Sequence, residues 1–187
     1  TTTPWTIPGN LAAAVHPELT YARARVKRGL VEETLILLDD KVEELGTISG
    51  AEEIEVLETM SGSDLIGMHY RHPLEDLVPH QQQVRGEAVH SVVASETVTA
   101  ESTGIVHIAP GHGPEDFEIG LAHDLEPFSP VDETGTFTEE VGQRYAGRNV
   151  RIIAICVARS CERATADMNM PSPSAPTRKA SDRAISL

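Results

Sequence analysis

Gly104-Ile105-Val106-His107-Ile108-Ala109-Pro110-Gly111-His112-Gly113-Pro114-Glu115-Asp116-Phe117 is the stretch on which the reading of the fold turns. Its first half, Gly104 to Ala109, predicts a strand bounded by glycine and proline. Pro110 to Gly113 predicts a tight turn. Pro114 then opens a helix, with Glu115 and Asp116 in the first turn, where the macrodipole favours negative charge. The helix is expected to run to about His123. A strand that enters a glycine-bracketed turn and leaves as a helix aims side chains and backbone N–H groups at a ligand. Neither GxGxxG nor a Walker-type loop is present, so two glycines alone do not make a phosphate site. His107, His112 and Asp116 are of metal-ligand type, yet their spacing of five and four matches no established zinc pattern. Each has a structural reading as well: a satisfied histidine, or a carboxylate serving only the helix dipole.

Outward from this stretch the periodicity is mostly two-fold. Ala22, Ala24 and Val26 alternate with Arg23, Arg25 and Lys27, the mark of a half-buried strand. Leu11 to His16, Thr34 to Leu38, Glu53 to Glu58 and Ala88 to Thr99 are further strand candidates. Helical signals are short: Asp40 to Leu45, and a capped turn at Ser61-Gly62-Ser63-Asp64-Leu65. No internal repeat is visible. The expectation is an α+β domain, mostly β, with a curled or barrel-like sheet and a few short helices.

At the other end of the chain, Thr1-Thr2-Thr3-Pro4-Trp5-Thr6 leads into Pro8-Gly9-Asn10 and sets four hydroxyls, an indole and an amide in a run too proline-broken for a strand. Hydroxyls hydrogen-bond a sugar, a carbonyl or a water without adding charge, and such a run also reads as a plain polar loop.

Composition bounds the rest. The 187 residues are 40% hydrophobic and 4% aromatic, enough for one aliphatic core with trimmings. No apolar run approaches the ~20 residues of a membrane helix, and no basic n-region or apolar h-region opens the chain. A start at Thr1 reads as a piece of something longer. Net charge is -14, which argues against an ordinary basic nucleic-acid module. Only Lys27, Lys41 and Lys179 are lysines among the 15 basic residues, an acidic, lysine-poor surface that points to a halophilic source. Cys156 and Cys161 form neither CxxC nor a disulfide framework, so a cytoplasmic location is expected. Charge reverses near Val150: residues 151–187 carry six basic and three acidic side chains, and a Pro/Ser-rich run. The organisation expected is a domain over 1–150 and a disordered or foreign tail over 151–187. No GxSxG elbow and no Cys–His dyad is present, so chemistry would be water-based.

TTTPWTIPGNLAAAVHPE, followed about 85 residues later by GIVHIAPGHGPEDFEIG, resembles the editing domain of the isoleucyl-tRNA synthetase family, the connective insertion in the catalytic domain of the larger class I enzymes. SPVDETGTFTEEVGQRYAGRNV resembles the family segment after the second motif. The valyl and leucyl relatives carry an arginine where this chain has Thr3. The resemblance covers roughly 1–150. Departures are Glu115, where a second aspartate is frequent, and Gly9, where alanine is common; neither is expected to touch the site. The HIGH-like and KMSKS signatures of the synthetic site are missing, and Lys179-Ala180-Ser181 is no substitute.

The resemblance implies an aminoacyl-tRNA deacylase that hydrolyses valyl-tRNA(Ile), since a pocket separates isoleucine from valine by only ~10–200-fold, for which the isoleucyl enzyme is itself a standard example. It implies that Asp116 binds the α-ammonium and that Thr2 and Thr3 hold the attacking water and the terminal adenosine. Thr1 and Trp5 would shape the adenosine pocket. Thr6 and His107 would line the side-chain pocket, with His107 the steric limit against isoleucine, and backbone groups around Gly111, His112 and Gly113 would complete the site. No metal or cofactor is expected here; ATP and magnesium belong to the parent's isoleucine-ligating site. The partners implied are the 3′ end of tRNA(Ile) and the remainder of the synthetase, with no membrane. A silent tRNA-binding piece, a metal-dependent hydrolase on His107, His112 and Asp116, and a valyl or leucyl relative stand as alternatives.

Overall fold

The computed structural model describes residues 3–151. Thr1, Thr2, both cysteines, the Lys179-Ala180-Ser181 run and all but the first residue of the 151–187 tail lie outside the described residues. Among the described residues six strands and four short α-helices follow one another: β1 (Ala12–Val15), β2 (Thr20–Arg28), β3 (Val31–Leu38), α1 (Val42–Ser49), β4 (Glu53–Ser61), α2 (Gly62–Leu65), α3 (Pro79–Gln83), β5 (Ser91–Ala94), β6 (Ile105–Ile108) and α4 (Pro114–Ala122). The class is α+β. The strands form two three-stranded sheets, ordered β3-β2-β4 and β5-β1-β6, and among the described residues none closes into a barrel.

The alternation read from Ala22 to Lys27 holds in β2. Ala22, Ala24 and Val26 are buried, while β2 pairs antiparallel with β3 on one side and β4 on the other. On the outer face Arg23 Nε donates to Glu58 at 2.7 Å and Arg25 Nη1 to Glu55 at 2.8 Å, so opposite charges sit across the ladder. The capped turn at Ser61 is a reciprocal capping box: the Ser61 hydroxyl accepts from Ser63 N, and the Asp64 carboxylate accepts from Ser61 N at 3.0 Å. Every residue of β1 is fully buried, as befits a central strand.

The strand expected over Ala88 to Thr99 is only Ser91–Ala94. His90 takes a left-handed φ of 53° before it, and after it Ser95 Oγ accepts from Thr97 N at 3.3 Å, a local turn that competes with the ladder. The first motif, read as an irregular loop, is a 3₁₀ turn over Pro4–Gly9.

The described residues fall into two compact units, one of 3–12, Arg71–His90 and 107–151, the other of Ala13–Tyr70 and Ser91–Val106. The core of the second gathers Val15, Tyr21, Leu38, Leu65 and Val92, with Ala22, Ala24, Leu37 and Val42 as a further cluster. There Gly104, at φ 70°, brings its backbone against Leu38, and its carbonyl accepts from the Tyr21 hydroxyl at 2.7 Å. The core of the first is Leu74, Val78, Phe128, Phe137, Val141 and Tyr145. Asp132 Oδ1 accepts from the amides of Thr134 and Thr136, an Asx-type turn that leads Phe137 into that core.

Candidate functional site

The first unit holds every described residue singled out in the two motifs. Pro4 suits the first position of the 3₁₀ turn, and Pro8 removes a donor that would extend it. Thr6 N donates to Thr3 O at 3.0 Å, and Thr6 Oγ1 donates to the same carbonyl at 2.8 Å. The chain then leaves in extended geometry at Asn10, and Leu11 N donates to Ile108 O at 2.8 Å. That backbone bond, beside the pairing of β1 with β6, brings the first motif alongside the second.

Its consequence is a hydrogen bond between Thr6 Oγ1 and His107 Nε2, 3.0 Å long across 101 residues of sequence. The Thr6 hydroxyl has one proton, already given to Thr3 O, so Oγ1 accepts and His107 Nε2 carries the hydrogen. Nδ1 is then the acceptor, and Asn10 Nδ2, a donor only, faces it at 3.5 Å. The Asn10 amide also donates to Ala12 O at 2.8 Å and Ile108 O at 3.3 Å. Thr3, Thr6, His107 and Asn10 thus form one chain of donors and acceptors with a defined imidazole tautomer. Burial pushes the His107 pKa down to about 4, and the neighbouring His112 adds to the shift, so the ring is neutral at pH 7.

α4 begins at Pro114 behind Gly113, as the sequence predicts, and ends at Ala122, next to the expected His123. Asp116 stands half-buried in its first turn. Its Oδ2 accepts from Ala109 N at 2.9 Å, tying the helix back to the strand two residues beyond His107. Burial raises the Asp116 pKa, the Ala109 amide opposes that shift, and Glu115 adds to it. The second oxygen, Oδ1, has no hydrogen bond among the described residues and remains available to a cation-bearing ligand.

Gly111 packs so closely that a Cβ there would lie 2.5 Å from Phe128 O, whereas a Cβ on Gly113 would meet open space. Trp5 packs against the core of this unit and stays partly exposed. Gly9, set aside in the sequence reading as remote from the site, touches it: a Cβ on Gly9 would lie 2.9 Å from His112 Nε2. That nitrogen is buried without a hydrogen-bond partner among the described residues, and burial lowers the His112 pKa. Thr1 and Thr2 lie outside the described residues.

The metal-ligand alternative finds no geometry. Among the described residues no three His, Cys, Asp or Glu side chains are grouped to hold an ion. His107 Nε2 is engaged by Thr6, and Asp116 Oδ2 by a backbone amide.

Sequence reasoning missed the residues that hold the first motif in place. His72, 1% exposed, donates from Nε2 to Ile7 O at 3.0 Å and accepts at Nδ1 from Leu74 N at 3.0 Å. Gln81, equally buried, donates from Nε2 to Pro8 O at 2.7 Å and Asn10 O at 3.1 Å, while its Oε1 accepts from His90 Nε2 at 2.8 Å. His90 N in turn donates to Leu11 O at 2.7 Å. Nothing in spacing marks His72 and Gln81; their partners in the first motif are 65 to 73 positions away.

Among the described residues no helix is long and apolar enough to cross a membrane. No family model matches the chain. It is 47% identical over 152 residues to the isoleucine–tRNA ligase of Methanothrix thermoacetophila and 50% identical over 152 residues to that of Archaeoglobus fulgidus, in each case 81% of this chain and 14% of the relative. It therefore spans about one seventh of the length of these relatives. In fold it is similar to the crystal structure of GlLeuRS-CP1, at a TM-score of 0.58 and 18% identity over 95% of this chain and 83% of that one. It is similar also to the editing domain of the P. knowlesi cytosolic leucyl-tRNA synthetase, at a TM-score of 0.59 and 12% identity over 88% and 80%. With nearly half its residues shared over four-fifths of its length, and with this fold, the chain belongs to the isoleucyl-tRNA synthetase family.

Proposed function

We propose that this chain is the editing part of an isoleucyl-tRNA synthetase and hydrolyses the ester of valyl-tRNA(Ile), in the cytoplasm. The observation that carries the reading is the half-buried Asp116 carboxylate, tied by Oδ2 to the Ala109 amide two residues beyond His107, the ring that ends the Thr3–Thr6–His107 chain. In the reaction Asp116 Oδ1 takes the α-ammonium in a charge-assisted bond. Thr2 and Thr3 hold the attacking water and the terminal ribose, Thr1 and Trp5 wall the adenosine, and amides around Gly111, His112 and Gly113 face the developing oxyanion. Water attacks the ester carbonyl, and collapse of the tetrahedral species expels the ribose hydroxyl; orientation and electrostatic stabilisation supply the rate. The neutral His107 ring, fixed by Thr6 and Asn10, fills the volume that the extra methylene of isoleucine needs. Family membership supports tRNA(Ile) as the partner, with its 3′ end in this site. Activation of isoleucine with ATP and magnesium is assigned to the remainder of the parent, and the editing fold to 1–150.

Deacylation of valyl-tRNA(Ile) by the purified chain, with and without chelator, tests the reading. Hydrolysis unaffected by chelator is expected; loss with chelator would restore a metal mechanism, and no hydrolysis would leave a tRNA-binding piece. His107→Ala should admit isoleucyl-tRNA(Ile), raising its cleavage by ~10–200-fold, the span one methylene commands in a pocket. Loss of valyl cleavage with no isoleucyl gain would move the sieve to Thr6.

A further inference from the structure

We propose that Gln81 is a positioning residue for this site, fixing the orientation and tautomer of His107 through Asn10; the proposal rests on the editing reading for its catalytic consequence alone. Gln81 lies on α3, outside both motifs, and is 1% exposed. Its carboxamide uses both ends. The amide nitrogen bridges the carbonyls of Pro8 and Asn10 at 2.7 and 3.1 Å, and the oxygen accepts from His90 at 2.8 Å, which fixes which end of the amide faces the loop. His90 closes the same clamp by donating its backbone amide to Leu11 O at 2.7 Å.

What the clamp orients is Asn10. Once its carbonyl is held by Gln81, its side chain reaches Ala12 O, Ile108 O and His107 Nδ1 as a donor. A donor at Nδ1 admits only the tautomer with hydrogen on Nε2, which in turn donates to Thr6. Rotate Asn10 and the imidazole loses one of the two contacts that set its plane and its proton. A buried amide with every group paired specifies one arrangement, and removing it leaves two carbonyls to find other partners.

Long-range proton–nitrogen NMR on the full chain reads the tautomer directly. The parent should show His107 as a single Nε2–H species; an Nδ1–H species there would overturn the proposal without any variant. Gln81→Met keeps the volume and removes both functions. It should give a mixture of His107 tautomers and a cleavage of isoleucyl-tRNA(Ile) raised about tenfold, the lower end of the span one methylene commands in a pocket, because the ring that sets the size limit is no longer held in one orientation. His72, held by Ile7 O and Leu74 N, should keep its own tautomer and so report that the unit remains folded. A purely structural Gln81 would lower the melting temperature and leave the His107 signals as in the parent, which would overturn the proposal. Should Gln81→Met fail to fold, Gln81→Asn, whose amide is withdrawn by one methylene, takes its place with the same expected and refuting results. If the chain cleaves no mischarged tRNA, the editing reading falls while the NMR result still decides whether Gln81 sets the ring.

Discussion

In the second unit, β2 buries Ala22, Ala24 and Val26 and turns its arginines outward to Glu58 and Glu55, so apolar atoms make the core and charge stays at the surface. In the first unit, Asn10, His72 and Gln81 are themselves buried, and the segment they hold is a proline-broken turn with few backbone bonds of its own. The two regions teach different lessons about substitution. A sheet built on alternation distributes its stability over many interchangeable apolar contacts. A turn held by buried polar side chains depends on each donor meeting its acceptor, because an unpaired buried group costs ~1–3 kcal/mol.

Acid should separate the regions most. Burial lowers the pKa of His72 to about 3 and of His107 to about 4, and lowers His80 and His112 as well; all four lie in the first unit. The folded state keeps His72 and His107 neutral, while the unfolded chain takes up their protons near pH 6.5. Their contribution to stability is therefore complete above about pH 6.5 and declines as pH falls from there to about 4, with His72 continuing to about 3. Two protons give a slope of up to about 3 kcal/mol per pH unit inside that window. Asp116, whose pKa is raised, opposes the trend only in the carboxylate range. Urea midpoints taken between pH 7 and pH 5 measure the slope; a flat profile would mean that these rings are not buried neutral.

The next largest effect is on activity. Asp116→Asn keeps an oxygen to accept from Ala109 N and removes the charge, so the helix stays tied to its strand. Valyl-tRNA cleavage should fall about a hundredfold, the worth of a charge-assisted bond of up to ~3 kcal/mol, with the melting temperature nearly unchanged. Near-normal cleavage would break the ammonium-anchor role, and a collapse of folding would show that Asp116 serves the fold.

The same contrast governs how much the sequence revealed. β2, β3, β4, α2 and α4 were legible because each is written in contiguous residues: a period of two, a capping box at Ser61, a proline and two acids at Pro114. The site was legible only through its motifs. That Thr6 meets His107 follows from the pairing of the first motif with the second, the Leu11–Ile108 bond included, which no local pattern encodes. α3, and Gln81 on it, was missed because its role is to satisfy carbonyls far away in sequence. Gly9 was misread for the same reason, since a glycine required by close approach to His112 looks locally like any turn glycine.

Within the second unit the sharpest substitution is Tyr21→Phe. The hydroxyl donates to Gly104 O at 2.7 Å and accepts from His16 N at 3.1 Å in a fully buried position, where burial raises its pKa and the His16 amide opposes that. Deleting it leaves two backbone groups unpaired and should cost ~1–3 kcal/mol in urea unfolding. Here the second unit depends on a buried polar contact as the first does. A cost below ~0.5 kcal/mol would show that the alternating core alone carries the sheet.

Smallest is the effect expected at Arg25, which lies 2.8 Å from Glu55 and 3.5 Å from Glu32, all three with largely exposed side chains. Such pairs are worth ~0.2–1 kcal/mol, and Arg25→Ala should cost no more than that at low salt. Two electrostatic effects then oppose each other as salt is raised. The pairs weaken, but the chain also carries a net charge of -14, and its self-repulsion is screened at the same time. Between ~0.1 and ~1 M salt the Debye length shrinks from ~10 to ~3 Å, shorter than most separations between unpaired carboxylates but comparable to the contact distance in the pairs. Repulsion is therefore screened more fully than attraction, and the melting temperature of the parent should rise across the series while the penalty of Arg25→Ala shrinks towards zero. A parent midpoint that stays flat or falls would mean that attraction across β2 outweighs repulsion over the whole surface, and would remove the physical basis for reading the lysine-poor, acidic composition as an adaptation to salt.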